Sequence, residues 1–381
     1  MDDSKYRNRY DGIDINEQNE ELQLKNRIAT EQDAPKIVDL YNQIYKNNYP
    51  YRSWTDEENI KTIINNPNVI WKVFEDQFGN IAATQVLELD PDTNIAMLHG
   101  YIVDRKYQGK GIGKIMIHEN CRLYLEDPNN NIEMCWCEAR TSHNKSQKIS
   151  MEINFFPVAF LPYKDTFFGR KESDLIMAWY NPNRGILENR RTDVKIVHEV
   201  LPFYNFVSSC LYKPLNEPMV EIWDEYDLDF SNNVSVSVEK MKYNYLKVNL
   251  KVDEDNQMEF KINREVKSAE EFTYKFTDIK AFNSMLYMLE KIFNDQLDYI
   301  EIWVSAYDPN EQKSCLALGF VPAGYFPAIR KNTDGLNEDR IVFVKAKSYP
   351  LEISKEYNLQ LTGKTATIFK IFREVLNSKI M

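Results

Sequence analysis

The stretch Val103-Asp104-Arg105-Lys106-Tyr107-Gln108-Gly109-Lys110-Gly111-Ile112-Gly113 constrains this chain more than any other. Before it runs the extended apolar segment Ile95–Val103. After it, Gly111–Tyr124 repeats Ile112, Ile115, Met116 and the Cys121/Leu123 region at helical spacing. The stretch is therefore a strand-to-helix junction. Its glycines let the chain turn tightly and let backbone N–H groups converge. With a helix N-terminus behind them, such groups bind phosphate oxygens without a large positive charge. Arg105, Lys106 and Lys110 add charge at the rim. The full GxGxxG of a dinucleotide site is absent, and so is the GxxxxGK[ST] of a P-loop. Gly363-Lys364-Thr365 lacks the upstream glycine and carries no nucleotide role.

Around this junction the order of elements is mixed α/β. Arg27–Thr30 reads as a short strand, and Thr30 with Asp33 as a helix cap. Ile37, Leu40, Tyr41 and Ile44 then recur at helical spacing, and a second helix covers Asp56–Ile64 before Pro67. Strands are expected at Val69–Glu75, Ala82–Leu89, Ile95–Val103 and Glu133–Glu138, the last after an Asp127–Asn131 turn. A short helix from His143 to Ile153 precedes closing strands at Val158–Leu161 and Leu175–Tyr180. The polar run Asn181–Arg191 is a natural boundary. Beyond it, the run Val194–Leu201 is followed by strands near Val220–Trp223, Val234–Val238, Tyr245–Val252, Met258–Ile262 and Ile300–Ala306. Helices are expected at Ile279–Phe293 and Asn310–Leu318, and one in the tail near Ala366–Leu376.

A length of 381 residues favours two domains over one. The halves also echo each other. INFFPVAFLP can be laid on LGFVPAGYFP so that Phe155 meets Phe320 and Pro157 and Pro162 meet Pro322 and Pro327. A duplicated fold explains that echo together with the shared order of strands and helices. The expected division is a polar extension over 1–25, a first domain over 26–190, a second over 191–348 and a tail over 349–381. Hydrophobic residues make up 43% of the chain, enough for a sizeable core, and the net charge of −11 argues against a nucleic-acid or anionic-membrane partner. No apolar run is long enough to cross a bilayer, and the first residues lack a secretory signal, so a cytoplasmic setting is expected. The five Cys contain no CxxC and the four His are scattered, so no metal site is expected.

Gln108-Gly109-Lys110-Gly111-Ile112-Gly113 resembles the Q/R-x-x-G-x-G/A signature of the GNAT acyltransferases, the Gcn5-related N-acetyltransferase superfamily. With the strand before it, the helix after it and the later closing strands, the resemblance covers about residues 26–180. It implies a mixed central sheet flanked by helices, which the internal echo makes one of two tandem copies, and acetyl-CoA or another acyl-CoA as cosubstrate. Cofactor contacts fall on Gln108, Gly109, Lys110, Gly111, Ile112 and Gly113 at the pyrophosphate. The strand ending at Ile102 and Val103 takes the pantetheine arm, in a splay between it and Glu133–Glu138, and Asn144 caps the next helix or touches CoA. The second half lacks this junction: SAEEFTYKFTDIKAF has no glycine and carries Glu270, Glu271 and Asp278, which repel pyrophosphate. It reads as a degenerate GNAT-like domain.

The resemblance implies direct transfer to an amine of a small molecule or peptide, with a base that strips the ammonium proton. Glu138, His99 and Glu88 are the candidates, each on an expected central strand. Many family members carry an acidic Tyr four residues before a Gly-Phe pair. Here that position is Ser150, a relay through water or a plain helix residue, and its echo is Cys315. Tyr45, Tyr49, Tyr51 and Trp54 form an aromatic set that either surrounds the acceptor or packs a surface loop. A noncatalytic acyl-CoA binder or structural protein, and a protein N-acetyltransferase, are the competing readings.

Overall fold

The computed structural model describes residues 24–127, 131–224, 226–231 and 233–380. Nearly all of the expected polar extension, and part of the Asp127–Asn131 turn, therefore lie outside the described residues. The chain packs as two compact units. The first runs through Glu138 and takes in Lys148–Phe155 and Ala178–Arg184; the second holds Ala139–Gln147, Phe156–Met177 and the chain from Gly185 onward.

The first unit begins with β1 (Lys25–Ile28), α1 (Ala34–Tyr45) and α2 (Glu57–Ile64). Asp33 sets the start of α1: its carboxylate accepts the Thr30 N–H at 2.8 Å and two bonds from Arg27 at 2.7 Å. α1 buries Ile37, Leu40, Tyr41 and Tyr45, three of them on the stripe its spacing predicts. Then come β2 (Val69–Glu75), β3 (Ile81–Asp90) and β4 (Ile95–Val103), a meander in which each neighbour is antiparallel. After the junction, the helix is regular only as α3 (Ile112–Ile115). It widens into a π-helical stretch over Met116–Cys121 before α4 (Arg122–Glu126), where sequence spacing gives one continuous helix. β5 (Met134–Arg140) lies parallel to β4, and α5 (Lys145–Glu152) follows it.

The second unit holds most of the hairpin β6 (Phe156–Phe167) and β7 (Arg170–Tyr180). Their connection is Phe168–Gly169, with φ of 53° and 73°, the left-handed pair that two-residue hairpins use. It continues with β8 (Lys195–Val197), α6 (Leu201–Cys210), β9 (Met219–Glu221), β10 (Ser235–Lys240), β11 (Tyr245–Lys251), β12 (Gln257–Asn263) and β13 (Ser268–Lys275). Then follow α7 (Ile279–Phe293), β14 (Tyr299–Ser305), α8 (Pro309–Ala317), β15 (Val321–Lys331), β16 (Asn337–Ala346) and α9 (Lys364–Ile380). The strand order is β7-β6-β15-β16-β14-β13-β12-β11-β10. β10 to β13 form an antiparallel meander and β13–β14 is parallel, the same sequence of pairings as β1 to β5. At the β6–β15 pair, Gly324 faces Ala159 so closely that a Cβ there would collide with Ala159 and the Val158 carbonyl. α6, β13 and β15 are additions to the sequence reading. β13 occupies part of the segment read only as a glycine-free approach to α7.

Candidate functional site

The junction after β4 is built by short-range polar contacts. The Asp104 carboxylate accepts the Lys106 N–H at 2.8 Å, and the Asp104 carbonyl accepts from Tyr107 at 2.9 Å. Gln108 turns its side chain back and donates through Nε2 to the Val103 carbonyl at 2.9 Å. Gly109 and Gly111 both hold φ of 81°, a left-handed conformation that favours glycine, and a Cβ on either would meet no atom within 4 Å. These two glycines therefore serve backbone shape, with open space above them. Gly113 is glycine for the opposite reason: a Cβ there would run into the Tyr101 hydroxyl. Ile112 anchors the turn in a core with Phe74, Ala82, Ala83 and Met116, against which Val103 packs. Lys110 lies over the Tyr107 ring at 5.4 Å. The first amides of a helix have no intrahelical acceptor, so the exposed face of this turn offers donors to an anion.

β4 itself is divided. Its parallel pairing with β5 runs from Ile95↔Met134 to Leu98↔Cys137. β4 continues to Val103, still paired with β3 through Thr84↔Ile102 and Ala83↔Val103. The register along β3 steps from Thr84↔Ile102 to Val86↔His99, so β4 carries one extra residue there. The bulge centres on Gly100, with φ of 61°, where a Cβ would lie 2.9 Å from Val86 Cγ2 and 3.3 Å from the Tyr41 hydroxyl. It places His99 and Ile102, three apart, on one sheet face and sends Tyr101 to the other. Beyond Leu98↔Cys137, alternation puts Glu138 on the His99 face and leaves Cys135 and Cys137 on the opposite one.

On the His99 face the predicted aromatic set assembles. Tyr45 and Tyr49 have centroids 4.4 Å apart, Tyr49 and Tyr51 5.7 Å. Trp54 stacks on Tyr41 at 6.0 Å, tilts against Trp71 at 5.5 Å and meets His99 edge-on at 4.9 Å. Glu88 Oε2 lies 3.3 Å from His99 Nε2. Proximity to the imidazole holds the Glu88 carboxyl below its ordinary range against the upward pull of desolvation. The contact is close enough for charge attraction but lacks hydrogen-bond alignment, so Nε2 has no hydrogen-bond partner. Two of the candidate bases thus form one pair, beside the aromatic set.

Ser150 sits elsewhere. It is buried, and its hydroxyl bonds the Cys137 thiol. Burial and the nearby Glu138 push that thiol up to about 12, and burial pushes Cys121 to about 12 as well. These thiols are protonated packing groups rather than nucleophiles. Asn144 immediately precedes α5 and is grouped with the second unit. Among the described residues, no group of His, Cys, Asp and Glu could hold a metal ion, and no helix is long and apolar enough to cross a membrane.

Three residues that structure brings in were not singled out as site residues by sequence: Tyr41, Gly100 and Tyr101. Tyr41 reads as one more apolar position of α1. Gly100 did carry a signal, since a glycine inside a strand marks a bulge or a close approach. Buried polar atoms without a partner gather around this bulge: Tyr41 Oη and His99 Nε2 on one face, Gln85 Oε1 and Tyr101 Oη on the other.

A glycine turn at a helix start, beside a strand that loses its parallel neighbour, is the arrangement the sequence resemblance predicts. Residues 34–149 match the model of the acetyltransferase (GNAT) family. The chain carries a GNAT acetyltransferase domain. Among solved structures, a mutant spermidine/spermine N-acetyltransferase SpeG from Vibrio cholerae aligns at 20% identity. It covers 42% of this chain and 97% of its own, with a TM-score of 0.35. The ribosomal-protein-S18-alanine N-acetyltransferase of Escherichia coli aligns at 16% identity over 42% of this chain and 94% of its own, TM-score 0.35. Comparison with curated proteins gives no match. The GNAT domain contains the glycine turn, the bulged strand, the Glu88–His99 pair and the aromatic set, all inside the matched span.

Proposed function

We propose that the chain is an acyl-CoA-dependent N-acyltransferase that moves an acetyl group from acetyl-CoA to a primary amine of a small molecule or peptide. The observation that carries the reading is the end of β4–β5 pairing at Leu98↔Cys137, which leaves β4 without a β5 partner from His99 of the Glu88–His99 pair up to Val103, just before the glycine turn. The residues fit the cosubstrate. Gly109 and Gly111 present open backbone to a pyrophosphate, with Gln108 holding the turn to Val103 and Lys110 at its rim. The edge of Ile102–Val103 away from β3 offers main-chain donors and acceptors to the pantetheine amides. Acetyl-CoA supplies an activated acyl thioester.

The chain's own residues then do the proton work. His99 takes the proton of the incoming ammonium, and the Glu88 carboxylate at 3.3 Å stabilises the imidazolium that forms. Glu138, in register on the same face, is a second acceptor for that proton. A thiolate leaves more readily than an amine, so protonation by solvent is sufficient at that step. Ser150, bonded to Cys137, supplies no acid in this arrangement. This last point favours one alternative, a noncatalytic acyl-CoA binder.

The second unit is proposed as a GNAT-like copy without the phosphate turn, on the strength of its repeated order of pairings. The cosubstrate class and the five unpaired thiols suit a reducing, cytoplasmic setting. Calorimetric titration with acetyl-CoA tests the cosubstrate: the expected result is saturable binding of one molecule per chain, and no binding by folded protein overturns both CoA readings. An amine panel that detects released CoA separates enzyme from binder.

A further inference from the structure

Tyr41 poses a specific problem of chemistry. Its side chain is wholly buried in α1, burial lifts its phenol well above the ordinary value, and its hydroxyl has no hydrogen-bond partner. A buried polar group without a partner is costly, and native proteins rarely keep one without a use. The hydroxyl is aimed at the β4 bulge, 3.3 Å from the place a Gly100 Cβ would take, on the face that carries His99. His99 Nε2 is the second buried atom there without a hydrogen-bond partner. Both belong to one aromatic assembly, because Trp54 contacts both the Tyr41 ring and the His99 ring. Trp54 and Tyr49 are only half-buried, so this end of the assembly reaches solvent. Their loop leaves α1 through Lys46 and Asn47, which hold φ of 52° and 59°.

We propose that Tyr41 is a specificity-determining residue that binds the acceptor's nitrogen, and that the acceptor is a primary amine carried on a flat apolar body. The inference rests on the acetyltransferase reading above. The ammonium donates to Tyr41 Oη and lies beside His99, which takes its proton. The apolar body takes the place of Trp54 and Tyr49 when their loop swings at Lys46–Asn47, and the rings bind the cation through their faces.

The test uses the full chain, acetyl-CoA, and three probes: phenethylamine, spermidine and a short unblocked peptide. The expected result is a kcat/KM at least tenfold higher for phenethylamine than for the other two. Tyr41→Phe keeps the ring and removes only the hydroxyl. It is expected to raise Tm, to raise KM for phenethylamine about tenfold, the equivalent of one lost hydrogen bond, and to leave the acetyl-CoA Kd unchanged. A merely structural hydroxyl would raise Tm and leave KM untouched, which overturns the proposal. Preference for spermidine or the peptide overturns the acceptor class. Acetyl-CoA binding without acetylation of any probe also overturns it while the cosubstrate reading stands. Failure to bind acetyl-CoA removes the underlying reading itself.

Discussion

The two units contain the same local device with different contents. In each, the fourth strand of a meander carries one extra residue: Thr84↔Ile102 steps to Val86↔His99 in the first, and Glu259↔Thr273 steps to Lys261↔Glu270 in the second. In each, the bulged strand has a parallel neighbour only over its opening part. The first bulge turns on Gly100 at φ 61°, the second on Glu271 at φ 58°. Beyond the first bulge the chain makes the glycine turn. Beyond the second, β13 and α7 are joined by Phe276–Asp278, and the Asp278 carboxylate itself accepts the Lys280 N–H at 3.0 Å. A carboxylate thus occupies the helix start where the first unit offers open amides.

The strand divergence is also filled differently. Glu270 and Glu301 both lie 3.5 Å from the buried Lys164 Nζ, and Glu301 also accepts from Tyr299 at 2.9 Å and Trp303 at 2.8 Å. The first unit keeps orphaned polar atoms at its bulge, whereas the second pairs its charges with one another. That difference teaches more about function than the shared topology does.

Paired substitutions test this contrast. The largest effect is expected at the residues that begin each bulge. His99→Ala should lower kcat by about 10²–10⁴-fold, the range for loss of a general base, while Glu270→Ala should leave kcat of the folded protein unchanged in steady-state assays. Equal losses at both would break the comparison. Next, Gly111→Asp puts a negative charge at the phosphate turn and should weaken acetyl-CoA by roughly 100-fold, or about 2–3 kcal/mol. Asp278→Gly in the second unit should leave calorimetric affinity and the stoichiometry of one unaltered.

Stability provides smaller contrasts. Gly100→Ala forces a Cβ against Val86 in a left-handed conformation and should cost about 1–3 kcal/mol in denaturant unfolding. Glu271→Gly should relieve the same conformation and stabilise by up to about 1 kcal/mol, less the lost contact with Lys261. The smallest effect belongs to Glu88. Its folded carboxyl is held below the ordinary value, so it stabilises the folded state above the unfolded pKa of about 4.3. The Tm advantage of the wild type over Glu88→Gln should therefore be present above that pH and shrink as pH falls through the lowered folded value. An advantage that fails to shrink as pH falls through that lowered value would refute the pairing with His99.

Much of the site was legible in the chain because it is local. The glycine turn follows from three residues and their flanks, and β2, β4 and α7 begin and end where period and turn residues place them. The aromatic set is local too, at the end of α1 and in the segment that joins it to α2. What sequence could not phase was which strand residues share a face. Alternation has a period of two, and one extra residue at Gly100 inverts it, so His99 joins Ile102 and parts from Tyr101. The widening of the helix at Met116–Cys121 was likewise hidden, since apolar spacing does not distinguish it from a regular turn.

By itself the sequence determined the mixed α/β class, the glycine turn and the family that residues 34–149 match, because these depend on contiguous residues whose conformations are set by glycine, capping and period. Only the tertiary structure decided that Glu88 meets His99, that Tyr41 points its unpartnered hydroxyl at the bulge, and that Ser150 is bonded to Cys137. Those facts join residues far apart in the chain. They are fixed by strand register and by how helices seat on a sheet, both of which the packing of the whole unit selects.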